Sequence, residues 1–174
     1  KGLTMAGLKS PKVLDLFSGC GGMSWGLHKA GFEIIGGIDI WHQALETFKF
    51  NHPDATIFEG DISDFKTNMV MKKLGLKKSE LDVLIGGPPC QGFSKNQTAL
   101  NRFIDDPRNQ LYKEYMRFVA DLMPKVVVME NVAEIYNAFD GKVRSEIIDT
   151  FNKLGYKISV KILTAADYGV PQKR

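Results

Sequence analysis

The chain has 174 residues, enough for one domain with a real core and too few for two ordinary ones. It is 44% hydrophobic, 25% charged and 10% aromatic, as in soluble globular proteins, and no apolar run reaches the roughly 18 residues that a membrane span needs. A net charge of +3, from 23 basic and 20 acidic residues, admits a polyanionic partner without arguing for one, and two cysteines suit a reducing interior rather than a disulfide framework.

Residues 1–11 are polar and glycine-containing and read as an N-terminal tail, with no signal peptide ahead of the first strand. From residue 12 onward, strand-like and helical patterns alternate. "KVLDLF" (12–17) reads as a strand, 23–30 as a helix, "EIIGGI" (33–38) as a strand and 42–51 as a helix. "TIFE" (56–59), a helix over 64–74, "DVLIGG" (82–87), a helix over 109–123, "KVVVME" (125–130) and a helix over 140–154 follow. The helix over 109–123 is the clearest, because Leu111, Tyr115, Phe118, Val119 and Leu122 share one face. Continuous Val/Ile/Leu runs separated by helices predict an α/β, doubly wound, mostly parallel sheet with both faces covered. Ligands in such sheets gather at the carboxyl ends of the strands. Residues 95–109 lack a core pattern and are expected to form a mobile loop beside the site.

The strand ends carry the chemistry. After the first strand, "DLFSGCGGMSWGL" offers a tight turn at Gly19, Gly21 and Gly22. It is not the dinucleotide pattern, because Ser24 stands where a third glycine would be needed. Asp39 follows the second strand and either accepts the hydroxyls of a ribose or caps the helix over 42–51. Asp61, after the third, either accepts from an adenine amino group or caps the helix beginning near Asp64. Together these ends suggest a nucleoside cofactor with no need for a phosphate loop. After the fourth strand, Pro88 and Pro89 fix the backbone up to Cys90, a control that a packing cysteine does not require, so Cys90 reads as a nucleophile. Cys20 reads as small filler, and Trp25 and Trp41 as packing. Glu130 ends a Val-rich strand, where burial would raise its pKa and suit it to hold a proton; a helix cap is the alternative. His28, His42 and His52 have no companions at metal-ligand spacing, and "MKKLGLKK" (71–78) reads as a solvated helix end.

The ordered set "DLFSGCGG", "GPPCQGFS", "MENV" and "YGVPQKR" resembles the cytosine-C5 DNA methyltransferases, from Lys12 to the end of the chain. The resemblance implies a Rossmann-like catalytic domain over 12–174 that binds S-adenosyl-L-methionine and methylates DNA, as in bacterial restriction–modification or orphan enzymes. Cys90 matches the nucleophile that adds to C6 of a flipped cytosine, Glu130 the acid at N3 and the exocyclic amine, and Arg174 the first arginine of a Gln-x-Arg-x-Arg motif. Phe17, Gly19, Gly21, Asp39, Asp61 and Pro89 match cofactor-contacting positions, with Gly22, Ile40, Ile62 and Leu111 beside them. Ile40 stands where many relatives carry an aromatic residue. Gln91, Ser94 and Lys95 are candidates for contact with the DNA backbone. Relatives continue with a target-recognition domain, so a C-terminal portion or second subunit is implied; the family favours a monomer, in the bacterial cytoplasm or a eukaryotic nucleus. Two alternatives stand beside this. A tRNA-modifying branch carries Pro-Phe-Thr after Cys-Gln, where this chain has Gly92-Phe93-Ser94. A non-catalytic paralogue that binds nucleic acid would tend to lose Cys90 or Glu130, and both are present.

Overall fold

The computed structural model describes residues 9–89, 111–136 and 141–172. In chain order they form β1 (Lys12–Leu16), α1 (Gly22–Lys29), β2 (Glu33–Asp39), α2 (His42–Asn51), β3 (Thr56–Glu59), α3 (Thr67–Leu74), β4 (Val83–Gly86), α4 (Leu111–Leu122), β5 (Val126–Met129) and α5 (Lys142–Lys153). Among the described residues the strands build one parallel sheet in the order β3-β2-β1-β4-β5. The chain therefore winds outward from β1 to β3, then crosses back to β4 on the other side of β1. At such a switch point neighbouring connections diverge and leave a crevice above the carboxyl ends of the strands.

Alternation along each strand sends successive side chains to opposite faces. Val13, Ile34, Val83 and Ile85 join Phe48 and Ala55 in one apolar layer. Leu14, Leu16, Ile38 and Leu84 meet Tyr115, Phe118, Val119 and Leu122 of α4 in the other. Tyr115 is fully buried, and its hydroxyl donates toward the carbonyls of Val128 at 3.0 Å and Leu84 at 3.3 Å, fastening α4 to β4 and β5. Phe48 is fully buried too, and it fits only because β2 carries glycine opposite it. A Cβ at Gly37 would lie 2.7 Å from Phe48 Cζ.

In its elements and layers the fold departs from the sequence reading in two places. The helix expected over 64–74 is a 3₁₀ turn, Ile62–Asp64, followed by extended residues and then α3. Arg117 of α4 holds that break open, donating to the Ile62 carbonyl at 3.1 Å and to Thr67 Oγ1 at 2.9 Å. The second departure is β5, which is not covered on both faces. It is an edge of the described sheet, and Val126 and Val128 are 51% and 43% exposed. A groove of about 710 Å³ runs beside it, lined by residues such as Val127, Met129, Phe151, Tyr156 and Ile158.

Replacing Gly37 with alanine tests the glycine–phenyl fit. The added methyl must displace a fully buried ring, and overpacking of this kind costs about 1–3 kcal/mol. Chemical denaturation is expected to show that loss, and an unchanged midpoint would mean that Phe48 has room to move.

Candidate functional site

The site is assembled from the loops after β1, β2, β3, β4 and β5. The turn after β1 uses positive φ at Phe17 (58°), Gly19 (52°) and Gly21 (85°), which folds the chain back before α1 begins at Gly22. Only the glycines adopt that region without strain, so Phe17 is held there by its surroundings. The Ser18 amide donates to the Ile38 carbonyl at 3.0 Å, and the Gly21 amide to the Ser18 carbonyl at 2.8 Å. Nothing lies within 4 Å of a Cβ built on Gly19 or Gly22, so this surface of the turn is open.

Asp39 is the clamp for that turn. Its Oδ2 accepts from the Gly19 amide at 2.7 Å and its Oδ1 from the Trp41 amide at 2.9 Å. It is not the helix cap that was the alternative reading, because the residue at the α2 cap is Trp41. Each carboxylate oxygen keeps a second lone pair, so Asp39 can still accept from a ligand hydroxyl. Ile40 and Trp41 beside it are 68% and 61% exposed. Trp41 is therefore not a packing residue, which corrects the sequence reading, and with Ile40 it exposes apolar surface beside Asp39. Trp25 is also exposed, stacked on His28 with ring centroids 5.6 Å apart. Cys20 is exposed, not filler.

Asp61 caps the 3₁₀ turn Ile62–Asp64 and not a helix beginning near Asp64. Its Oδ1 accepts from the Ser63 amide at 2.9 Å and hydroxyl at 2.7 Å, and these bonds, the hydroxyl first, hold its carboxyl below the usual range. Ile62 is buried in the core, so its side chain does not face the crevice loops. Leu111 is half-buried at the start of α4 and packs against the same core.

The loops after β4 and β5 are tied together. The Glu130 amide donates to the Gly86 carbonyl at 2.9 Å, and Asn131 Nδ2 to the Pro88 carbonyl at 3.0 Å. Glu130 Oε2 lies 2.9 Å from where a Cβ on Gly87 would be, so the carboxylate rests against the bare backbone of that glycine. Glu130 is exposed, which corrects the expectation that the end of this Val-rich strand is buried. Pro88 is buried and Pro89 half-buried. Cys90, Gln91, Ser94, Lys95, the 95–109 loop and Arg174 lie outside the described residues.

The family model for C-5 cytosine-specific DNA methylases matches residues 11–174. The chain belongs to this family. It is 44% identical to Type II methyltransferase M1.HphI of Haemophilus parahaemolyticus, over 92% of this chain and 43% of that protein. Against Type II methyltransferase M.AquIA of Picosynechococcus sp. it is 37% identical, over 94% of this chain and 68% of that one. A solved structure from E. coli, of a prophage-encoded protein described as a DNA modification methyltransferase, superposes with a TM-score of 0.79 at 35% identity, covering 95% of this chain and 44% of that one. The fold also matches S. pombe Dnmt2 methyltransferase, with a TM-score of 0.70 at 23% identity over 94% of this chain and 46% of that one. The chain spans about two-fifths of the length of the first curated relatives it matches.

One residue beside this family member's glycine turn escaped the sequence reading. Asp15, the penultimate residue of β1, is only 2% exposed, and Ser24 Oγ of α1 donates to its Oδ2 at 2.6 Å. Burial, reinforced by the negative charge of Asp39 and opposed by the Ser24 bond, pushes its carboxyl up to about 7. Its polar letter within an apolar strand was the available signal. Below the ordinary value of 3.8 both folded and unfolded chains hold the proton. Between there and about 7 the unfolded chain releases it and the folded chain does not, so stability from this residue falls as pH rises. Asp15→Asn is expected to remove that decline, on the order of 4 kcal/mol across the interval. Urea denaturation at stepped pH checks it: parallel curves for the two proteins would mean that Asp15 is ionised in the native state.

Proposed function

We propose that residues 12–174 are the catalytic part of a DNA cytosine-C5 methyltransferase, following a short tail over 1–11, and that S-adenosyl-L-methionine is its methyl donor. The arrangement that supports this most directly is the Asp39-clamped glycine turn together with the joined loops of Gly86–Pro89 and Glu130–Val132, all at the carboxyl ends of neighbouring parallel strands. A nucleoside fits the first half. The Gly19–Gly22 surface is open to it, Asp39 has lone pairs for ribose hydroxyls, and Ile40 and Trp41 present apolar surface to a purine. Asp61 would accept from the adenine amine through its free oxygen, and Phe17, Pro89 and Leu111 would line the approach. No phosphate cradle is called for, since the donor is a sulfonium.

The second half serves the base. The Cys90 thiolate adds to C6 of a cytosine turned out of the duplex, while Glu130 holds N3 and the exocyclic amine so that the ring accepts the electron pair. C5 then takes the methyl group that bound S-adenosylmethionine supplies. Loss of the C5 proton to a base, with departure of the thiolate, returns the free enzyme. Arg174 is assigned the O2 of the base, and Gln91, Ser94 and Lys95 the DNA backbone. An exposed Glu130 agrees with a carboxyl that is dry only when the base covers it. Target recognition belongs to a C-terminal portion or a second subunit, and the enzyme acts as a monomer on DNA inside the cell.

A covalent trap tests this reading. Incubation with S-adenosylmethionine and duplex DNA carrying 5-fluorocytosine is expected to leave the protein attached through Cys90, because fluorine at C5 cannot leave as a proton does. The denatured mass should show the adduct in the wild-type protein and not in Cys90→Ser. Equal labelling of both would place the nucleophile elsewhere.

A further inference from the structure

Beneath the glycine turn lies a ring stack that the reaction does not use. His52, the residue after α2, is 4% exposed. Its ring centroid is 4.9 Å from that of Phe48, 5.7 Å from His28 and 6.1 Å from Trp25. A Cβ built on Gly21 would lie 2.8 Å from Phe48 Cδ2 and 3.4 Å from His52 Cδ2, so the backbone of the turn rests on these two rings. His52 Nε2 is buried without a hydrogen-bond partner, as is Ser18 Oγ in the turn. An unpartnered imidazole nitrogen tolerates burial while it carries no proton. Once protonated it is a buried cation with only the Gly21 backbone to support it, and burial outweighs that support.

We propose that His52 is a positioning residue for the cofactor turn: its uncharged ring is the seat of Gly21, and charging it loosens the turn and weakens binding of the methyl donor. This rests on the reading that the Gly19–Gly22 turn holds S-adenosylmethionine. The surrounding charges leave the cation unsupported. His28, from α1, becomes a like charge when protonated, and Lys29 stands over Trp25 at 4.7 Å, one ring further out. On the other side of the turn, Asp15 is uncharged in the acid range, and Asp39 is engaged by the amides of Gly19 and Trp41. Burial first and the His28 charge second hold the imidazole below its ordinary 6.5, against a smaller upward pull from the Gly21 backbone. The neutral seat is thus complete at neutral pH and is lost as pH falls through that lowered value. Protonation breaks no covalent bond, so the device is reversible.

Calorimetric titration of the protein with S-adenosylmethionine, from about pH 5 to about pH 7.5, tests this. In the wild-type protein the dissociation constant is expected to rise by up to about tenfold per pH unit below the imidazole's pKa. In His52→Gln, whose amide has no charge to gain, it should stay level over the same range. His28→Asn, at an exposed position, should move the acid limb to higher pH, since removing a like charge eases protonation of His52. Thermal melts at each pH show that the variants are folded, and if His52→Gln is not, the shift in His28→Asn decides alone. The same acid slope in wild type and His52→Gln, or an unmoved limb in His28→Asn, overturns the proposal. A wild-type protein that binds at no pH overturns the cofactor site and this inference with it, whereas binding with an unchanged slope overturns only the inference.

Discussion

A phenyl ring lies flat between a strand and a turn here because two positions have no side chain. Phe48 is fully buried, Cζ against Gly37 of β2 and Cδ2 against Gly21 of the turn. Either glycine could be replaced only by moving the ring, and the ring cannot move without opening the layer it shares with Val13, Ile34, Val83 and Ile85. The position of the candidate cofactor turn is therefore a consequence of core packing. Gly21 meets both the left-handed backbone and the close ring contact, so one residue type answers a local and a tertiary demand at once.

Two aspartates frame the same turn and behave in opposite ways. Asp39 sits at a strand end, half-buried, where backbone amides from Gly19 and Trp41 point at its oxygens and compensate a negative charge. Asp15 sits one strand away, near the end of β1, where the Ser24 hydroxyl donates to its carboxyl and burial favours the protonated form. The difference comes from the surroundings: Asp39 meets two backbone amides and solvent, whereas Asp15, level with Gly37 of β2, meets one hydroxyl and almost no solvent. A carboxyl kept neutral beneath the turn leaves Asp39 as the turn's charged anchor.

The alternation of apolar runs with segments of helical period was readable because each strand is short, apolar and followed by a helix with one buried face. Element ends agree within about two residues apart from the start of α3, where a long-range contact from Arg117 decides the break and no local pattern could show it. The run of valines in β5 was misleading for a related reason. Apolar letters record what a strand can bury, but whether anything covers Val126 and Val128 depends on the rest of the sheet. At the site, Asp39 and Asp61 were legible as strand-end acids, while their partners were not, since a carboxylate, a cap and a clamp look alike in sequence. His52 gave the weakest signal of all. A lone histidine after a helix carries no ligand spacing, and its role shows only when the turn is seen resting on its ring.

The loops after β4 and β5 extend this logic to the residues that the family places at the chemistry. Parallel pairing of Gly86 with Met129 brings the two strand ends level. The Glu130 amide then continues the ladder to the Gly86 carbonyl, and Asn131 reaches across to the Pro88 carbonyl. Pro88 and Pro89 donate no amide to any ladder, so the loop after β4 depends on such side-chain contacts to be held. Asn131 thereby ties the loop after β4, at Pro88, to the strand end that carries Glu130, whose carboxylate lies against the bare backbone of Gly87. The described ends of two adjacent strands are thus bonded to each other through backbone and side chain. Disturbing the Asn131 contact would act on both loops together, which is the behaviour of a single positioned unit rather than of two independent segments.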